Sequence, residues 1–316
     1  MAATPMAETP DTALGIEYWN SQPASIDGVL GGFGEGSLPR VDALGSRLFL
    51  LHLRPELCTV PSSLKSLSPL PGAAEKRFRA LDVGAGVGRV TAEVLLPLVH
   101  DAVVVEPVTN FVNEALTRST SWRGIPDATK SATIIQGTLQ AFDPACPIRL
   151  PEATLLGRVG RSLPEDQWSL EDVSGFDIVW CQWCLGHLSD PDLVAFFKRA
   201  QAALRPGGRS LIIVKENLCS EPDAVARASY DPEDSSLTRS DALFKDLFKK
   251  AGLTLIREQI QEGFEAGLYP VKMHVLYNFS SCLNIDPRFT TGTHYNDNHI
   301  AERNGPGYPC TGGEKK

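Results

Sequence analysis

A chain of 316 residues has room for one large domain or two small ones, and a hydrophobic fraction of 42% with a charged fraction of 22% is ordinary for a globular protein. A formal net charge of −8 argues against the basic field of a general nucleic-acid binder. No apolar run reaches the roughly 18–20 residues that cross a bilayer, and the start MAATPMAETPDTALG lacks the basic and apolar regions of a secretory signal. Seven scattered cysteines, an odd number, do not read as a disulfide framework, so a reducing compartment is expected, cytoplasmic or also nuclear.

Residues 1–14 are small and polar and read as a disordered tail. From Glu17 to Leu53 come Trp19, the segment SIDGVLGGFG and an apolar helical pattern through Leu44, Leu48 and Leu51, which predicts a helical N-terminal lid. The glycines between Gly28 and Gly32 mark a loop that turns sharply or approaches something closely. Residues 58–76, rich in Ser and Pro, read as a flexible insertion. Strands are then expected at 79–83, 102–106 and 132–136, with helices at 89–99 and from 111. Residues 143–175 carry prolines and charges without a sustained period and read as a second insertion. A fourth strand at 176–181 precedes an amphipathic helix at 189–204, with Ser189 as its N-cap and Pro206-Gly207-Gly208 as its stop. A fifth strand at 210–215, a helix at 241–251 and strands at 253–261 and 271–279 complete the series, and the residues after Asn278 read as a tail. Strands alternating with helices predict an α/β fold with a doubly wound, mostly parallel sheet of seven strands and helices on both faces.

Two stretches carry chemistry. Leu81-Asp82-Val83-Gly84-Ala85-Gly86-Val87-Gly88-Arg89 runs from a strand through a glycine loop into a helix, an arrangement that brings backbone close to a cofactor at a helix N-terminus. The dinucleotide fingerprint would need glycine at 89, where Arg89 stands. G-x-G-x-G with an acid two residues upstream looks instead like the loop of class I S-adenosylmethionine-dependent methyltransferases. Arg89 could pair with the carboxylate of that cofactor's methionine part, and Glu106 could accept hydrogen bonds from ribose hydroxyls, as it would in either cofactor class. The second stretch, Phe176 to Leu188, delivers Gln182, Trp183 and His187 to the carboxyl end of a buried strand, where ligands bind in open α/β sheets. The alternative is that Trp183 is core and His187 a cap. Cys181 and Cys184 form a CxxC, but there is no second ligand pair at zinc spacing and no helix opens on the motif, so no metal is expected.

The chain resembles the eukaryotic protein N-terminal methyltransferases, which methylate the α-amino group of proteins beginning X-Pro-Lys or X-Pro-Arg. The resemblance is carried by Tyr18-Trp19, the loop from Ile26 to Gly34, the glycine loop, Leu139-Gln140, Trp180 to Leu188, Leu204-Arg205-Pro206-Gly207-Gly208, Lys215-Glu216-Asn217, Asp231 to Ser236 and Leu268 to Met273, within residues 15–278. It implies a Rossmann-like methyltransferase sheet and S-adenosylmethionine as cofactor, held by Gly84, Arg89, Glu106, Leu139, Gln140 and Gln182. It places Trp183 against the substrate proline, Asn217 on the backbone of substrate position one, and Asp234 and His187 by the amine. Asp231 and Ser236 would help hold the basic third residue, while Trp19, Leu30 and Tyr269 line the groove. The partners implied are N-termini of X-Pro-Lys/Arg proteins, such as ribosomal proteins, met by a monomer without nucleic acid or membrane.

The chemistry suits these roles. A free α-amine has a pKa of roughly 7.7–8.0 and is largely protonated at neutral pH. A carboxylate and an imidazole nearby can accept that proton. From the residues alone, Asp231, Glu233 and Asp234 equally suit a solvated acidic face. The rival readings are a small-molecule methyltransferase on the same fold, which has no need of the acidic trough, a nucleic-acid methyltransferase, and a non-catalytic cofactor-binding regulator.

Overall fold

Strand β1 (Arg79–Val83) is buried along its whole length, as the sequence RALDV allows, and lies inside an eight-stranded sheet. The structure, a computed structural model, describes residues 9–60, 77–148, 153–161, 175–207, 209–221 and 225–277. On one side of β1 stands β2 (Asp101–Glu106), then β3 (Ser131–Gln136) and β4 (Thr154–Gly160). On the other stand β5 (Ile178–Gln182) and β6 (Leu211–Asn217). Two strands that appear later in the chain, β9 (Thr254–Ile260) and β10 (Val271–Tyr277), close that side in the order β6-β10-β9. Pairing is parallel from β3 through β6 and antiparallel at β3–β4, β6–β10 and β10–β9. The central strands are covered on both faces, which is why they read as continuous apolar runs without alternation.

The period of two still decides what each side chain meets. Leu81, Val103, Val179 and Ile212 pack with Phe196, Phe197, Phe244 and Phe248. These aromatics belong to α5 (Asp190–Ala202) and α6 (Asp241–Lys250). Their strand neighbours Ala80, Ile178, Trp180 and Ile213 face the other way, onto Phe49, Leu50 and Leu53 of α3 (Leu38–Leu53). Beside them Val104 and Ile134 meet Val112 and Ala115 of α4 (Thr109–Ser119). The predicted cap holds, with Ser189 Oγ accepting from the Asp192 N–H at 3.3 Å at the start of α5.

Three expectations are corrected. The sheet has eight strands and not seven, because β4 forms antiparallel beside β3 within residues 143–175. Its sequence TLLGRVG hides this: as a partly buried edge strand it has neither alternation nor a full apolar run, and two glycines dilute its β preference. The tail ends earlier than residue 14, since α1 (Thr12–Ser21) starts on the Asp11 carboxylate, which accepts from the N–H groups of Ala13 and Leu14. A hairpin of β7 (Ala228–Asp231) and β8 (Ser236–Arg239), two short strands in which only Arg239 is buried and so without a hydrophobic signature, went unread. Most of the 58–76 insertion and all residues from 278 on lie outside the described residues. Between α1 and α3 sits the short helix α2 (Ile26–Val29), so the expected helical lid is present.

Candidate active site

The glycine loop follows β1 at its carboxyl end, and Gly84, Gly86 and Gly88 all take positive φ (61°, 57° and 79°). Glycine is needed at Gly84 for space as well as conformation, because a Cβ there would stand 2.2 Å from Cβ of Cys184. The Gly86 N–H donates to Glu106 Oε2 and the Val108 N–H to Oε1, each at 2.8 Å, so the acid ending β2 is tied to the loop. Burial raises the Glu106 carboxyl to about 7, with Asp82 adding to it and the two backbone donors opposing. Asp82 itself is pushed up by burial to about 6 and accepts from Thr91 Oγ1 at 2.5 Å.

A cleft opens over the carboxyl ends of β1, β2, β3 and β5, on the side where the strand order reverses. Gly84, Glu106, Leu139 and Gln140 line it, as the resemblance implied, and Thr12, Gly15 and Trp19 of α1 form its roof. Arg89 and Gln182 do not. Arg89 Nη1 donates to Asp42 Oδ2 at 2.6 Å, and its guanidinium lies 5.5 Å from the Trp183 ring. Gln182 Nε2 donates to both Asp42 oxygens, at 2.9 and 3.0 Å, and its own carbonyl accepts from Trp180 Nε1. Lys215, fully buried, stands 2.6 Å from Asp42 Oδ1. Burial alone would raise Asp42, but Lys215 and Arg89 bring it below the usual carboxylate range. Asp42 is thus the residue that turns two expected cofactor contacts inward. Sequence reading missed it, although an acid four residues before Ser46 on the apolar face of a helix is the signal that could have found it.

A second cleft adjoins the first. Leu30, Asn217, Ser236 and Tyr269 line it with Asp234, and Trp19, Val29, Trp183 and His187 border both clefts. Asp231 is not among the lining residues; its Oδ1 accepts from the Glu233 N–H at 2.9 Å on the exposed turn. Trp183 sits in the left-handed region at φ 53°, and its loop is held by Glu216, whose Oε1 accepts from the N–H groups of Cys184 and Leu185 at 2.9 and 3.0 Å. Burial raises Glu216 to about 7. Cys181 and Cys184 are free and buried, and burial, with the Glu216 charge adding, lifts both thiols well above their ordinary pKa, so they stand as neutral thiols.

The strand order, the glycine cradle and the acid-ended second strand meeting at one cleft define a Rossmann-like S-adenosylmethionine-dependent methyltransferase. Residues 9–149 and 161–277 match the family described as AdoMet-dependent proline di-methyltransferases. The alpha N-terminal protein methyltransferase 1 of Schizosaccharomyces pombe is 35% identical over 84% of this chain and 95% of its own. The N-terminal Xaa-Pro-Lys N-methyltransferase 1 of Xenopus tropicalis is 30% identical over 81% and 90%. A solved SAM-dependent methyltransferase of Leishmania major, 29% identical, superposes with a TM-score of 0.59 over 84% of this chain and 82% of that one. The chain belongs to the AdoMet-dependent proline di-methyltransferase family.

Proposed function

We propose that this protein transfers methyl groups from S-adenosylmethionine to the free α-amino group of proteins that begin X-Pro-Lys or X-Pro-Arg once the initiator methionine is gone. The observation that carries the reading is the shared wall: Trp19, Val29, Trp183 and His187 border both clefts, so a donor in the first and a peptide N-terminus in the second meet at one place. The residues present fit the cofactor. Gly84 and Gly86 leave backbone bare toward the first cleft, and the Glu106 carboxylate, Leu139 and Gln140 line it. The bound cofactor supplies a sulfonium methyl that is already electrophilic.

What remains for the chain is to deliver a neutral amine in line with that methyl group. Asp234 sits at the second cleft with Oδ1 buried and without a partner, ready to take the ammonium's proton. Asn217, ending β6, offers its amide to the peptide backbone, and the Trp183 ring offers a flat apolar wall to a proline. The acidic turn Asp231–Glu233–Asp234 lends negative potential for the basic third residue. Ribosomal proteins that begin X-Pro-Lys or X-Pro-Arg are among the partners this reading names. The described cysteines are all free, which suits a reducing cytoplasmic or nuclear compartment.

Methyl transfer from labelled cofactor to hexapeptides beginning Ser-Pro-Lys, Ser-Ala-Lys and acetyl-Ser-Pro-Lys tests the reading. The first should be methylated and the other two ignored. Equal rates on all three would remove the N-terminal assignment and return the site to a side-chain or small-molecule substrate.

A further inference from the structure

Helix α1 closes on one residue of the site, His187, from several directions. Gln140 Nε2 donates to the His187 carbonyl at 3.0 Å and to Thr12 Oγ1 at 2.8 Å, which ties the start of α1 to the turn that carries the imidazole. At Gly15 the helix comes so near that a Cβ would stand 3.1 Å from His187 Nδ1 and 3.3 Å from the Asp234 carbonyl. The Asp11 N–H donates to Ser235 Oγ at 2.8 Å, so the same helix also holds the turn that carries Asp234. One turn beyond Gly15, the indole Nε1 of Trp19 donates to His187 Nε2 at 2.9 Å.

That last contact fixes the state of the ring. An indole N–H donates and has nothing with which to accept. Its partner Nε2 must therefore present a lone pair, and the proton of the neutral imidazole must sit on Nδ1. Burial lowers the His187 pKa, against the opposing charge of Asp234 and the nearby Ser235 backbone, which keeps the ring neutral. Nδ1 is buried without a hydrogen-bond partner, and so is Oδ1 of Asp234; both residues line the second cleft.

We propose, on the reading of the site just given, that Trp19 is a positioning residue that locks His187 in the Nδ1–H tautomer, so that His187 serves as a hydrogen-bond donor beside the substrate amine while Asp234 alone accepts the proton. The ammonium proton passes to the Asp234 carboxylate, the freed nitrogen lone pair forms the new N–CH3 bond, and the sulfonium's C–S electrons leave with sulfur. His187 enters no proton transfer, because taking a proton on Nε2 would first require the Trp19 bond to break. The close packing also accounts for the glycine in the middle of α1, since a Cβ at Gly15 would fill the space in front of Nδ1.

The test begins with the unmutated enzyme. Nitrogen-15 histidine labelling reports which ring nitrogen carries the proton, and the expected spectrum of His187 has Nδ1 protonated and Nε2 bare at pH 7. The reverse assignment overturns the proposal. Trp19→Phe should then release the lock and give a mixture of tautomers with kcat lowered about tenfold; an unaltered tautomer would remove Trp19 from the role. Activity on a Ser-Pro-Lys peptide completes the test. His187→Asn, whose amide reaches the Nδ1 position, should lose about tenfold in kcat, and His187→Gln, whose amide reaches the Nε2 position, a hundredfold or more, on the scale of a lost catalytic group. Equal loss in both variants would return His187 to the role of base. If the wild-type enzyme methylates no Ser-Pro-Lys peptide at all, the substrate reading fails and the tautomer assignment stands separately on the spectrum.

Discussion

Glu216 shows how one buried side chain can serve position rather than chemistry. It ends in the second cleft, yet its carboxylate is spent on the Cys184 and Leu185 N–H groups, the anchor of the loop that holds Trp183 at positive φ. Its pKa is raised by burial from 4.5 to about 7, with the backbone donors and Arg239 opposing. The folded protein therefore holds this proton more tightly than the unfolded chain does. The Glu216 contribution to stability is largest below about pH 4.5 and falls as the pH rises toward 7, by about 3 kcal/mol for a shift of this size. Glu216→Gln keeps an acceptor of the same shape without the charge. Urea denaturation of the variant should show a flatter stability profile between pH 5 and pH 8 and greater stability than wild type at pH 8. A profile parallel to wild type would show that the carboxyl is not the titrating group.

At the scale of elements, the lid is coupled to the sheet through charge. Asp42 on α3 meets Arg89 from the glycine loop, Gln182 from β5 and Lys215 from β6, so one carboxylate joins the lid to three strand ends. With Asp42 gone, two cations would remain buried without their counterion. Removing one partner of such a cluster costs about 3–5 kcal/mol. Asp42→Ala should lose that much in urea denaturation and weaken cofactor binding with it, since Arg89 and the glycine loop share the support. A loss below about 1 kcal/mol would mean that water replaces the carboxylate. The same scale holds a cluster that resembles a metal site but has no need of a metal. Asp241, Glu258 and His274 converge, but Lys272 Nζ stands 2.9 Å from Asp241 and 3.1 Å from Glu258, with Lys245 beside both. These charges keep Asp241 far below its ordinary pKa although burial would raise it.

Over the whole molecule, a net charge of −8 and the Asp234 carboxylate in the second cleft make the approach of a cationic N-terminus an electrostatic matter. Screening should act on capture and not on the buried transfer step. The Debye length falls from about 30 Å near 0.01 M salt to about 8 Å at 0.15 M. Over that range KM for a Ser-Pro-Lys peptide should rise by on the order of tenfold, with kcat nearly constant, as steered encounters behave. A KM indifferent to salt would leave recognition to the aromatic wall alone.

Most of the fold could be read from the chain because the reading and the folding use the same physics. Buried strands such as β1 and β2 are continuous apolar runs, and Ser189 announces α5 by a cap that acts within four residues. What escaped were elements without a hydrophobic pattern, β4 at an edge and the β7–β8 hairpin on the surface. Site residues divide in the same way. Gly84, Glu106, Trp183, His187 and Asn217 were legible because each stands at a strand end beside a local motif. Asp42 and the Trp19–His187 bond were not, because their meaning lies in partners 47 and 168 residues away. The chain by itself determined the strand and helix periods, the glycine loop and the family, all of which rest on neighbours in sequence. Only the tertiary structure decided that Arg89 and Gln182 turn inward and which nitrogen of His187 accepts from Trp19. Those depend on which charges and donors are brought together in the interior, where water no longer competes for them.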